Sequence, residues 1–186
     1  MSLQTDVKNT LSAQVCDLFD QLRQKQNGPH RLNQPVALIG PGDATREECD
    51  AAYLMAACLA DAGVSVVCGG RGGVMQAASK GAFEAGGISI GILPEEDTRA
   101  ANPYLSVALP SGMGEMRNAL IARSALCLIA VGSNLGTISE MAMGLKWGKP
   151  LFTLRAAVHL EGAKDFVDAQ TLLSAVANCL ISLRQT

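Results

Sequence analysis

Three charged side chains stand beside glycines at positions where a helix would begin. Arg71 lies inside Gly69-Gly70-Arg71-Gly72-Gly73, Arg117 follows Gly112-Met113-Gly114, and Glu140 follows Gly136-Thr137. A guanidinium set among four glycines can fork onto a phosphate. Glycine has no Cβ, so a ligand can come close to the backbone. A helix N-terminus adds unpaired N–H groups and a partial positive charge, both suited to an anion. Gly40 and Gly42, and Gly132 and Gly136, extend the same pattern. The candidate ligand-binding set is Gly40, Gly42, Gly69, Gly70, Arg71, Gly72, Gly73, Met75, Gly132, Ser133, Asn134, Gly136 and Thr137. None of these loops is a G-x-G-x-x-G or a Walker sequence. Tight αβ turns use glycine anyway, and Glu140 alone could simply complement a helix dipole. Four glycine groups in register point to an anion site.

The elements that must carry these groups are short apolar runs alternating with helical periodicity. Strands are predicted over 36–40, 64–68, 88–93, 104–109, 126–131 and 151–154. Helices are predicted over 45–62, 72–85, 114–125, 135–146 and 168–183. Thr45 and Glu48 are spaced as a capping box at the first of these. In the 135–146 helix, Thr137 and Glu140 share one face, and Ile138, Met141, Ala142 and Leu145 form the opposite, buried one. Strands that are apolar throughout and alternate with helices imply a parallel sheet covered on both faces. The fold class is α/β, doubly wound and Rossmann-like. Residues 1–30 read as an N-terminal helix and linker, with Leu11, Val15, Leu18, Phe19 and Leu22 at helical spacing, and 31–186 as one Rossmann-like domain. In such sheets ligands bind outside the carboxyl ends of the strands, where the glycine groups fall.

Composition removes several function classes. The 186 residues are 48% hydrophobic and 17% charged, which excludes disorder. A net charge of −2 without a Lys/Arg stripe argues against phosphate-backbone binding, and 4% aromatics against stacking on unpaired bases. No apolar run approaches the ~20 residues of a membrane span, and the first residues carry no targeting pattern. Six cysteines without a C-x-x-C read as reduced, mostly buried thiols of a cytoplasmic protein. His30 and His159 lack metal-like neighbours, so no zinc site is expected.

The stretches Gly69-Gly70-Arg71-Gly72-Gly73-Val74-Met75, Met116-Arg117 and Gly136-Thr137-x-x-Glu140 together resemble the LONELY GUY (LOG) family, long labelled "possible lysine decarboxylase". The run Met113-Gly114-Glu115-Met116-Arg117-Asn118 is more similar to the branch containing the molybdenum-cofactor carrier proteins. The resemblance spans roughly residues 36–154. It implies that Arg117 and Glu140 occupy the catalytic positions of the LOG phosphoribohydrolases. Departures from that family's P-G-G-x-G-T-x-x-E loop are Val131, Ser133 and Asn134, and Asn118 stands for its lysine. No pyridoxal-phosphate lysine context supports decarboxylation.

Two functions follow. The first is a carrier of a phosphate-bearing, nucleotide-like ligand, with the molybdenum cofactor as a candidate. The second is N-glycosidic hydrolysis of a nucleoside 5′-monophosphate, with Arg117 and Glu140 catalytic; a nucleotide sensor is a third reading. The sequence requires no cofactor. The expected partners are a small phosphorylated ligand and further copies of the chain, as a dimer or tetramer, with no nucleic acid and no membrane. Met143 and Trp147 are candidates for that interface or for the core.

Overall fold

The β1 run Val36-Ala37-Leu38-Ile39 is buried on both sides, and alternation sends successive side chains to opposite faces. Val36 and Leu38 enter one hydrophobic core, Ala37 and Ile39 another. The sheet is therefore the middle of three layers. The computed structural model describes residues 10–183. Its elements in chain order are α1 (Ala13–Gln26), β1 (Val36–Ile39), α2 (Arg46–Asp61), β2 (Val66–Cys68), α3 (Val74–Glu84), β3 (Ser89–Leu93), β4 (Val107–Pro110), a 3₁₀ turn (Gly114–Arg117), α4 (Asn118–Ser124), β5 (Leu128–Val131), α5 (Leu135–Lys146), β6 (Leu151–Leu154), β7 (Lys164–Phe166) and α6 (Ala169–Ser182).

All strand pairs are parallel, in the order β4-β3-β2-β1-β5-β6-β7. Helices α1, α2, α3 and α6 supply Phe19, Met55, Val74 and Leu172 to the core that holds Leu38. Helices α4 and α5 supply Ile121 and Met141 to the core that holds Ile39. This is the doubly wound α/β, Rossmann-like arrangement. Strand order reverses between β1 and β5, so the loops after these two strands diverge and leave a crevice at their C-terminal ends. Thr45 and Glu48 form the expected capping box: Glu48 N–H donates to Thr45 Oγ1 at 3.2 Å, and Thr45 N–H to Glu48 Oε2 at 2.8 Å. No described helix is long and apolar enough to cross a membrane.

Four expectations are corrected. A seventh strand, Lys164–Phe166, joins the edge of the sheet, where its two polar residues face water rather than a core. The predicted 114–125 helix divides into a 3₁₀ turn and α4, and the turn positions Arg117. β4 starts at 107 rather than 104, because Tyr104 N–H turns back to Asn102 Oδ1 at 3.1 Å. In α5 the buried stripe is Thr137, Glu140, Met141 and Gly144, whereas Ala142 is exposed and Ile138 and Leu145 are half-buried. That helix turns its polar residues into the crevice, an orientation hydropathy alone cannot specify. Met143 and Trp147 are partly buried against the second core, and the Arg123 guanidinium lies 5.3 Å from the Trp147 ring centroid. Residues 1–9, the start of the segment read for targeting, lie outside the described residues.

Candidate functional site

The crevice between β1 and β5 holds a cavity of about 330 Å³, and the three charged side chains of the sequence all reach it. Arg117 closes the 3₁₀ turn and is 6% exposed. A side chain at position 69 would collide with it: a Cβ there would lie 2.7 Å from Arg117 Nη2. The absence of that side chain makes the guanidinium's seat. Arg117 Nη1 donates to Asn118 Oδ1 and lies 3.7 Å from Glu140 Oε1. Arg117 Nε is buried without a hydrogen-bond partner among the described residues. Such an orphan is costly unless a ligand or water satisfies it. Asn118 fixes the assembly by donating from Nδ2 to Ser139 Oγ at 2.8 Å and to the Gly136 carbonyl at 3.3 Å.

Burial pushes the Glu140 carboxyl up to about 8; Arg117 opposes this and Glu115 adds to it. The site therefore holds Glu140 mostly neutral at pH 7, able to donate a hydrogen bond. A raised carboxyl pKa favours the folded state while the group is protonated. This contribution is fully present below the ordinary value of 4.5 and is lost as pH rises through about 8. Glu140→Gln is therefore expected to match the parent's thermal stability near pH 4.5 and to exceed it near pH 8.5. Calorimetry at the two pH values checks this, and equal stability at both contradicts a buried, protonated Glu140.

The two helix N-termini at the site differ. α5 is closed by its own cap: Asn134 Oδ1 accepts from Thr137 N–H at 2.9 Å and from Thr137 Oγ1 at 3.0 Å. α3 starts at Gly73 without a side-chain cap. Arg71 stands beside that open end, half exposed, with its guanidinium engaged by Glu95 across the loop after β3. This bond holds the Glu95 carboxyl below the usual range. An incoming anion thus meets an open α3, a masked Arg71 and a partly unsatisfied Arg117. Asn134→Gly is expected to destabilise the fold by only a few tenths of a kcal/mol. Freeing the Thr137 N–H should tighten inorganic phosphate binding by about threefold, the scale of a helix-end charge effect. Denaturant unfolding checks the first and calorimetric titration with phosphate the second.

Gly40, Gly42, Gly69, Arg71, Gly72, Met75, Arg117, Asn134, Gly136, Thr137 and Glu140 line the cavity together. Gly70, Gly73, Gly132 and Ser133 do not. The three glycines have left-handed φ and form the turns behind it. The Ser133 hydroxyl accepts from Ala157 N–H at 2.9 Å, tying its turn to the loop after β6. Asn118, Glu115 and Ile39 also line the site. Asn118 could have been suspected from its place after Arg117, where it stands for a lysine. Glu95 carries no local signal, because only the fold brings it to Arg71. Cys68 is fully buried under the glycine loop, where Gly70 N–H donates to its Sγ at 3.4 Å. Cys58 and Cys127 are also buried, while Cys16, Cys49 and Cys179 are half-buried free thiols.

Comparison with known proteins gives one family and a consistent set of structures. The SLOG cluster4 family matches residues 33–179. An uncharacterised protein of Archaeoglobus fulgidus is 37% identical over 147 residues, which is 79% of this chain and 95% of that protein. The molybdenum cofactor binding protein of Rippkaea orientalis is 34% identical, covering 80% of this chain and 88% of its own, with a TM-score of 0.65. The Moco carrier protein of Chlamydomonas reinhardtii is 31% identical, covering 81% of this chain and all of its own, with a TM-score of 0.72.

Proposed function

The chain belongs to the SLOG cluster4 family, and we propose that it is a carrier that holds the molybdenum cofactor, a phosphate-bearing pterin, intact in the crevice between β1 and β5. The observation that carries this reading is the buried Arg117, whose Nε has no partner among the described residues and whose guanidinium sits over Gly69 beside the uncapped start of α3. Backbone N–H groups at that helix start would take the phosphate oxygens. Arg117 would supply the charge and a hydrogen bond. Arg71 would join once the ligand displaced Glu95. Similarity to proteins whose names state cofactor binding and carriage supports the choice of cargo.

The second reading is hydrolysis of a nucleoside 5′-monophosphate, favoured by the Arg117–Glu140 pair at 3.7 Å. Two features weigh against it. A Glu140 held neutral cannot stabilise an oxocarbenium-like centre by charge. Asn134 occupies the Thr137 N–H at the start of α5, which a glycine-rich loop would leave free for phosphate. Ribose 5-phosphate release from a panel of nucleoside 5′-monophosphates, with Glu140→Gln alongside, separates the readings. No release supports the carrier; release that disappears in the variant makes the chain a phosphoribohydrolase.

We also infer that the chain pairs with a second copy through the face carrying Met116 and Leu135, which are 71% and 86% exposed next to the site. Light scattering behind size exclusion is expected to give at least twice the mass of one chain; the mass of a single chain contradicts it.

A further inference from the structure

A second cavity of about 350 Å³ lies at the far end of the same sheet edge, between the end of β6, the loop after it, and β7. It shares no lining residue with the first. Its polar side is a chain of three groups. The buried Thr153 hydroxyl donates to Asp165 Oδ1, and His159 Nδ1 bonds to Asp165 Oδ2. These two bonds hold the Asp165 carboxyl below its usual range, so it is the acceptor and Nδ1 carries the hydrogen. The imidazole is thereby held in one orientation, with Nε2 left for a further hydrogen bond. Among the described residues no hydrogen bond or ion pair engages Arg155, which also lines the cavity. Arg155 is the one non-glycine residue at positive φ (57°) among the described residues. Backbone strain of this kind persists where the surroundings demand it, often at functional sites. Val158 and Phe166 form apolar walls, and Val167 beside them is 92% exposed.

We propose that this cavity is a second ligand site, for a small hydroxycarboxylate with an apolar body, whose carboxylate pairs with Arg155 and whose hydroxyl hydrogen-bonds His159 Nε2. Charge selects the class. One guanidinium offset by the Asp165 carboxylate leaves a weak field; attraction to it grows with a ligand's charge while the cost of dehydration grows with its square, so a monoanion is favoured over a phosphate dianion. The imidazole selects a ligand that carries a hydroxyl, which can both donate and accept and so bonds Nε2 in either of its forms. The site is independent of the carrier reading. The loop after β6 is tied to the loop after β5 by the Ser133–Ala157 hydrogen bond and by Gly132 N–H donating to the Leu154 carbonyl at 2.9 Å.

Mandelate, phenylacetate and phenyl phosphate are suitable probes, observed through the imidazole resonances. The chain has two histidines, and the exposed His30 in the linker before β1 serves as the internal control. Mandelate is expected to shift the His159 ring saturably and leave His30 unmoved. Phenylacetate, which lacks the hydroxyl, should bind several-fold more weakly, and phenyl phosphate more weakly still. Arg155→Gly should lower mandelate affinity at least about tenfold, the scale of a lost charged hydrogen bond. Because glycine adopts φ +57° freely, this variant should keep or raise the melting temperature, so its loss of binding cannot be a loss of fold. His159→Gln should erase the preference for mandelate over phenylacetate. The proposal is overturned if mandelate moves neither ring or both alike, if Arg155→Gly binds as the parent does, or if phenyl phosphate binds more tightly than mandelate.

Discussion

Arg117→Ala is expected to weaken binding of the phosphate-bearing ligand by roughly 10- to 150-fold, or about 1.5–3 kcal/mol, the range for a hydrogen bond to a charged group. The guanidinium is buried, its Nε is free for a ligand, and its neighbours are fixed by Asn118. The fold should survive the loss. Arg117 holds the Glu140 carboxyl down, so removing it drives that group further toward the neutral acid and leaves no buried unpaired charge at pH 7. Arg117→Lys should restore only part of the affinity, since a point charge cannot reproduce the guanidinium fork. Calorimetric titration with ligand, beside circular dichroism to verify the fold, measures both. Unchanged affinity in Arg117→Ala removes this residue from the site.

Gly73→Ala should have the largest effect on stability. Gly73 has φ +62°, and a Cβ there would lie 2.4 Å from both the Pro41 and Gly42 carbonyl oxygens. Both partners are backbone, so the clash cannot be relieved by a rotamer change. The left-handed conformation alone costs an L-residue about 1–2 kcal/mol, and displacing the loop after β1 adds to it. A loss of at least about 2 kcal/mol is expected, together with loss of ligand affinity, since Val74 N–H is held by the Pro41 carbonyl at 3.1 Å and α3 starts there. Gly72→Ala is the matched control. Its nearest contact for a Cβ is the Gly42 carbonyl oxygen at 3.9 Å, so it should fold normally. Denaturant unfolding of the two variants checks this. Equal stabilities would mean that the turn adjusts more freely than its contacts imply.

What was legible in the chain was what depends on local apolar runs and local punctuation. The fully buried strands β1, β5 and β6 stand where hydrophobic runs placed them, and the Thr45–Glu48 capping box forms as written. The charged triplet Arg71, Arg117 and Glu140 converges because each residue follows a strand end on one side of a parallel sheet. What escaped depends on long-range geometry. Glu95 meets Arg71 from 24 residues away. Lys164–Phe166 is a polar edge strand, paired on one side only and lacking an apolar run. The α5 stripe is polar where it faces the crevice, so helical periodicity placed the wrong residues inward. Ser133 and Asn134 were legible as departures from a glycine loop, but their tasks were not: one anchors a neighbouring loop and the other caps its own helix.

Native mass spectrometry of the chain incubated with the molybdenum cofactor, run beside the same incubation with a nucleoside 5′-monophosphate, tests the carrier function most directly. A carrier shows a mass increment equal to the intact pterin, strongly reduced in Arg117→Ala, and no cleavage of the monophosphate. An unmodified protein mass with the cofactor, or ribose 5-phosphate released from the nucleotide, would contradict it.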